Sequence, residues 1–442
     1  MTSLFTVFLA AAALADPCGM VPPIALPGEP IFEIERSGLQ QTYAFYRDGL
    51  ETVVLRPGFT GSVDAFGMLI PFPAAPALRK IDDKTFEHLA AALDPPVVEV
   101  EFYEPRPEVE AEPAPEPRAT AAARPSPSPA PSPLRRDEVR VLNEEAVGMY
   151  EVAVLAAGSP AALRKWMEKH AFRYPDGMED TLEDYVQAQW VFVAIKVSVG
   201  GATATHARPG MRDANTALPS GSRFGGFVQG MGFRFPTDEP VIPMRLSTFN
   251  GDDTHNRVYF LSDEPVRMEG VGRALVQRQL AGADLYENLV GELEVVVRNG
   301  RLSEIDEKWW ARLDRMRSPV PYNAVARDLI ASDLLAVTTG EPSLAFEERE
   351  KDLLRISESL GLRGEAMDAM HTRAIMAERK DALEGALGDV RDMTLTVIDG
   401  DFPRDYIRDN NLVFRAWTMP ANENFASMWH NRPQGPKIQI PR

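Results

Sequence analysis

Residues 40–56 read QQTYAFYRDGLETVVLR. Gln40–Tyr46 and Glu51–Arg56 are rich in aromatic and β-branched side chains, which favour extended backbone. Between them stands Asp48-Gly49, a pair that tolerates the left-handed conformations of a two-residue turn. The stretch predicts a β-hairpin. A third, largely buried strand follows over Val63–Phe72 (VDAFGMLIPF), ending among prolines at 71, 73 and 76 that stop further pairing. Asp83–Leu93 changes to helical spacing, with Phe86, Leu89, Ala90 and Leu93 on one stripe.

Downstream the alternation resumes. Val139–Leu142 and Met149–Leu155 read as strands, and Gly158-Ser159-Pro160 opens a helix. Ser159 suits the N-cap and Pro160 the first helical position. Leu163, Trp166, Met167 and His170 then recur at helical spacing, and Glu179–Gln187 reads as a second short helix. Trp190–Val199 (WVFVAIKVSV) is the strongest strand signal in the chain. Gly200–Ser222 is polar and small-residue-rich, a loop by composition. Gly226–Phe235, Val241–Phe249, Arg257–Leu261 and Glu292–Arg298 are read as four further strands. From there the period turns helical over Ile305–Met316, Asn323–Ala336, Phe346–Leu360 and Glu365–Leu387. Gly361 and Gly364 suggest a helical hairpin between the last two. Met393–Ile398 returns to strand, and the tail from Pro420 is irregular. Strands and helices segregated in this way predict an α+β fold. It should combine a largely antiparallel sheet, flanking helices and a helical C-terminal extension.

Two segments interrupt the pattern. Leu4–Leu14 (LFTVFLAAAAL) is an apolar run of 11 residues, and Ala13-Leu14-Ala15 at its end gives an A-x-A cleavage site before Asp16. The run matches a signal-peptide core and falls short of the roughly 20 apolar residues a membrane helix needs. The second is Glu104–Arg136, where ten of 33 residues are proline and the five Glu and five Arg cancel. Such a composition buries too little apolar surface to offset its ordering entropy, so a disordered linker is expected. The domain reading is therefore a signal peptide over 1–15 and an N-terminal β-rich part of the main unit over 16–103. The linker follows over 104–136, the α+β remainder of that unit over 137–300, and a helix-rich C-terminal region with a terminal strand over 301–442.

The 442-residue chain is 44% hydrophobic and carries 47 Lys plus Arg against 65 Asp plus Glu, a net charge of −18. That acidity lacks the basic footprint of a nucleic-acid binder and is repelled by anionic lipid. It points instead to a basic or cell-envelope protein partner. Cys18 is the one cysteine, so an internal disulfide and a four-Cys zinc site are excluded.

The order of several short motifs resembles a known pattern. Cys18-Gly19-Met20 follows the apolar run. Strands around Tyr43 and Val53 lead to Asp64-Ala65-Phe66-Gly67-Met68-Leu69-Ile70-Pro71-Phe72-Pro73. Then come Tyr150–Leu155 (YEVAVL), WMEKHAF at 166–172, Phe192–Val197 (FVAIKV), Pro243–Ser247 (PMRLS) and Asn411–Phe414 (NLVF). In that order they resemble the bacterial exported family known as domain of unknown function 2330. Cys18 stands alone where the family often carries further N-terminal cysteines. Gly67-Met68 stands where the family tends to have a tryptophan. The resemblance implies an exported envelope protein and carries over no catalytic residue.

Residues with chemical potential each have a structural reading. No two of His88, His170, His206, His255, His371 and His430 lie at the i, i+4 spacing of a helical zinc site. His88 and His170 fall on helices with core stripes and read as packed or capping side chains. Asn250-Gly251-Asp252-Asp253 and Asp399-Gly400-Asp401 offer oxygen ligands of the kind calcium prefers, and read more simply as turns. Gly225-Gly226, Gly230 and Gly232 lack the order of a nucleotide-binding fingerprint and read as bulges or close backbone packing. Ser222 lacks the spacing of a nucleophile elbow, and Ser159 is placed like a nucleophile but reads as a cap. Of the adjacent Trp309 and Trp310, at most one can be central to a core face; the other should lie on a seam or a binding surface. The sequence assigns no catalytic residue, no cofactor and no metal ligand. It predicts an exported, periplasmic or secreted, non-catalytic binding or structural module. The rival reading is a hydrolase with a carboxylate pair assembled in three dimensions.

Overall fold

The computed structural model describes residues 34–36, 40–62, 67–103, 134–147, 149–170, 172, 174–197, 223–227, 229–250, 254–269, 275–340, 380–420 and 434–441. The proposed signal segment, Cys18, residues 104–133, the Gly200–Ser222 loop, Phe346–Leu360 and most of Glu365–Leu387 lie outside them.

The hairpin at 40–56 forms. Asp48 (φ 51°) and Gly49 (φ 74°) both adopt left-handed backbone, which matches the twist of the flanking strands. The first strands are β1 (Ile34–Arg36), β2 (Gln40–Arg47), β3 (Leu50–Arg56), β4 (Gly58–Ser62), β5 (Gly67–Phe72) and β6 (Ala77–Lys80). Helix α1 (Thr85–Leu93) and strand β7 (Val98–Tyr103) follow. Past the proline-rich stretch come β8 (Val139–Val147), β9 (Tyr150–Ala157), α2 (Pro160–Lys169), α3 (Met178–Gln187) and β10 (Val191–Val197). Then come β11 (Arg223–Phe227), β12 (Met231–Pro236), β13 (Val241–Ile242), β14 (Thr254–Ser262), β15 (Val266–Met268) and β16 (Leu275–Ala281). The chain continues through α4 (Gly282–Val290), β17 (Val295–Arg298), α5 (Glu307–Arg317) and α6 (Val320–Thr339). Last come β18 (Thr394–Phe402), a short helix Arg404–Asp409, β19 (Leu412–Ala416) and β20 (Lys437–Pro441).

Two sheets dominate. One has seven strands in the order β16-β18-β14-β2-β3-β12-β6, the other four in the order β5-β10-β9-β8. Pairing is antiparallel throughout both except between β14 and β2. The period-2 alternation of each strand sends residues to opposite faces. Ala44, Val53, Leu55, Phe233 and Phe260 of the large sheet meet Ile70, Phe72, Val154, Val193 and Ile195 of the small one in a shared core. On the far side of the large sheet Tyr43, Phe45, Val54, Tyr259 and Val397 pack under Phe86, Leu285, Ile330, Leu334 and Leu383. On the far side of the small sheet Leu69, Leu155 and Phe192 pack under Leu163, Met167, Leu182 and Tyr185. The layers therefore run helix, sheet, sheet, helix. This explains the continuous apolar run of β10, which is buried on both faces.

The fold is α+β with mostly antiparallel sheets and a helical C-terminal part. Several elements differ from the sequence reading. Val241–Phe249 is not one strand. Pro243 cannot donate to a ladder, so pairing stops after Ile242, and Arg245–Asn250 winds into a 3-10 helix. The Ser247 hydroxyl donates to the Met244 carbonyl at 2.6 Å and the Thr248 hydroxyl to the Arg245 carbonyl at 2.7 Å. These local bonds compete with strand formation. Gly226–Phe235 is likewise two strands in separate sheets, β11 beside β4 and β12 beside β3. A β-carbon on Gly232 would lie 2.9 Å from Arg79 Cγ, so close packing accounts for that glycine. The C-terminal residues of the proline-rich stretch are ordered. The Ser159 hydroxyl donates to the Arg136 carbonyl at 2.7 Å, and the same oxygen caps α2 by accepting from Ala162 N–H at 3.1 Å.

Candidate functional site

The outer face of the four-stranded sheet changes character in steps along β9 and β10. Phe192 stands opposite Leu155, Ala194 opposite Ala153, and Lys196 opposite Glu151. The first row lies in the core under α2 and α3. The second has only methyl groups, and the third is charged. Helix α2 ends over the alanine row, which leaves a cleft of about 100 Å³. Ala153 and Ala194 form its floor, Trp166, His170 and Phe172 its wall, and Glu144, Glu151 and Lys196 its rim.

Each rim and wall residue is placed by a local cause. Glu144 reaches the alanine row because β8 carries a bulge between Val141 and Asn143, after which Glu144 pairs with Ala153. Without the extra residue Asn143 would stand there instead. Lys196 Nζ lies 3.4 Å from Glu151 Oε2, a cross-strand ion pair. His170 is the C-cap of α2, its backbone N–H bonded to the carbonyls of Trp166 and Met167. Its imidazole stacks on the Trp166 indole, centroids 4.1 Å apart and planes 18° apart. Burial holds the His170 pKa below its ordinary value, helped by Lys169 and Lys196 and opposed by Glu144. The imidazole is therefore neutral at pH 7, and the lining carries Glu144, Glu151 and Lys196 as its charges.

Most residues singled out from the sequence lie elsewhere. His88 is buried on α1, where its Nδ1 accepts from Val325 N–H at 3.4 Å. Asp399-Gly400-Asp401 is not a turn: it lies inside β18, paired with β14. Acidic residues are tolerated there because Arg257 and His255 face them across the ladder. Arg257 lies 2.9 Å from Asp399, and His255 lies 2.9 Å from Asp401 and 3.2 Å from Asp399. Among the described residues no group of His, Cys, Asp and Glu is arranged to hold a metal ion. Trp309 and Trp310 both sit half-buried against the small β17-β7-β20 sheet, so neither is central to a core. Asn250 ends the 3-10 helix; residues 251–253, His206, His371, His430 and Ser222 lie outside the described residues.

The cleft itself was not found from the sequence, although His170 and Trp166 were noted as helix positions. The signal was present in two strands of matching alternation, Glu151-x-Ala153-x-Leu155 and Phe192-x-Ala194-x-Lys196. It becomes a site only when their antiparallel register is known.

A family model described as an uncharacterised protein conserved in bacteria (DUF2330) matches residues 36–321, more than half of the chain. The chain belongs to this family. No curated protein and no solved structure matches it. Every residue lining the cleft lies within the DUF2330 match. Strand β18, which sits between β16 and β14 in the large sheet, lies beyond it.

Proposed function

We propose that this DUF2330 protein is exported and that its mature part binds a small ligand in the Trp166–His170 cleft without transforming it. The observation that carries the reading is the composition of that cleft: an apolar floor, a stacked aromatic wall and a few converging polar groups, as ligand sites have. Among the described residues its lining contains no serine, threonine or cysteine that could act as a nucleophile. The Glu151 carboxylate is paired with Lys196 at 3.4 Å. Export is supported by the apolar run and A-x-A site at 4–15. The charge of −18 favours a basic partner.

Equilibrium dialysis against the low-molecular-weight fraction of an envelope extract, read by mass spectrometry, tests the binding reading. The wild-type protein should retain a small species unchanged, and Trp166→Ala should lose it. Turnover of an ester, peptide or glycoside substrate, with no retained species, would overturn it in favour of the hydrolase. In that case Glu144 and Glu151 are the pair to examine, since diagonal neighbours on adjacent strands stand about 7–8 Å apart. N-terminal sequencing of protein from the envelope fraction should begin at Asp16; a retained Met1 in the cytoplasm sinks the export proposal.

A further inference from the structure

We infer that the cleft is built for a small organic cation with a planar apolar body, such as an arylalkyl ammonium. The inference rests on the cleft being the binding site proposed above, and deepens it to a ligand class.

Charge comes first. Among the described residues the lining holds two carboxylates and one ammonium, with His170 neutral at pH 7, which leaves one net negative charge. Lys196 and Glu151 neutralise each other at 3.4 Å. Glu144 has no ion-pair partner among the described residues, and it projects from β8 at the exposed mouth of the cleft. The unmatched charge is thus a single carboxylate, and its complement is a single positive charge. An anionic ligand would have to take Lys196 from Glu151 and also stand beside Glu144. The field of a chain with net charge −18 acts in the same direction, drawing cations and repelling anions.

Shape comes second. Ala153 and Ala194 face each other across β9 and β10, so nothing rises from the floor beyond a methyl group. The wall is a stacked indole and imidazole, and Phe172 tilts against the indole at 5.9 Å between centroids. A flat ring fits between a methyl floor and planar side chains, because π faces attract one another offset or edge-on. The alanines hold the space open, and any larger residue at either position would fill it. Volume sets the size. At about 100 Å³ the cleft is far smaller than the ~300 Å³ and above of drug-sized sites, so it takes one ring with a short arm. With the ring over Ala153 and Ala194, the arm points toward Glu144, which pairs with Ala153 on the neighbouring strand.

Isothermal titration of the full chain with benzylamine, benzyl alcohol and benzoate tests this. These three share a ring and differ in charge. Benzylamine should bind more tightly than benzyl alcohol, by up to about fivefold, the scale of one exposed ion pair, and benzoate should bind more weakly than either. Added salt should erode the benzylamine preference. Glu144→Gln, on an exposed rim where folding is not at stake, should bring benzylamine down to the affinity of benzyl alcohol. Trp166→Ala should weaken both. A preference for benzoate or benzyl alcohol, an amine preference that survives Glu144→Gln, or binding of none of the three would overturn the ligand class. The dialysis experiment reads the cleft independently: a retained neutral or anionic species lost in Trp166→Ala leaves the binding reading standing while this inference fails.

Discussion

Arg234 and Asp333 meet between the seven-stranded sheet and α6 with 2% and 0% of their side chains exposed. Thr52 joins them, its hydroxyl donating to Asp333 at 3.0 Å and accepting from Arg234 Nε at 2.9 Å. Breaking a buried pair leaves an uncompensated charge, whereas replacing both partners removes the desolvation cost as well. Arg234→Met alone should therefore destabilise the protein by about 3–5 kcal/mol. Adding Asp333→Leu should recover much of that loss, and denaturant midpoints measure both. Glu51 is a different case. Its buried carboxyl accepts from Val241 N–H at 2.9 Å, yet burial pushes its pKa well above the ordinary carboxylate value. In the unfolded chain the group ionises at its ordinary value. The stability contributed by the neutral acid is therefore complete below that pH and is lost as pH rises from there toward the folded pKa. Glu51→Gln should flatten the decline of stability between pH 4 and 7, and raise stability at pH 7 by on the order of 1 kcal/mol relative to wild type. A pH profile of the melting temperature identical to wild type would contradict this.

At the scale of elements, α4 shows how tightly the helical layer is docked. A β-carbon on Gly282 would lie 2.0 Å from the Val390 carbonyl oxygen and 2.4 Å from that of Met393. Both are backbone atoms that cannot swing away, and Gly282 N–H donates to the Met393 carbonyl at 2.7 Å. Gly282→Ala should lift α4 from the 3-10 helix Gly388–Asp392 and cost about 1–3 kcal/mol, the range of an overpacked contact. A thermal melt unchanged from wild type would refute the placement. Neither α4 nor β16 was legible in the sequence. β16 is an edge strand whose Gln277 and Gln279 face inward and donate to the Val266 carbonyl at 2.9 and 3.0 Å, so no apolar alternation marks it. Strands that bury one or both faces, such as β2, β3 and β10, were legible because alternation or an unbroken apolar run follows from their burial. So were α2 and α6, from capping and period. The cleft was not, because it depends on the β8 bulge and on the β9–β10 register, and neither leaves a local trace.

At the scale of the whole molecule, the seven-stranded sheet interleaves both sides of the proline-rich stretch. Strands β2, β3 and β6 precede residue 104, while β12, β14, β16 and β18 follow it, and β2 pairs directly with β14. The shared core between the two sheets is likewise built from both sides. We propose that the stretch interrupts one structural unit. Limited proteolysis should then cut between 104 and 133, where the proline-rich, polar composition is what proteases favour. The fragments should co-elute without denaturant, since neither alone can cover the faces it would expose. Elution as two independently folded pieces would refute this.

We propose that this DUF2330 protein binds its ligand in the cleft at the end of α2. Backbone and indole N–H chemical shifts of the full chain, recorded with and without the low-molecular-weight envelope fraction, test it most directly. Shifts are expected at the Trp166 indole and at the amides of Ala153, Ala194 and Lys196. Shifts confined to the helix-covered side of the seven-stranded sheet, or none at all, would contradict it.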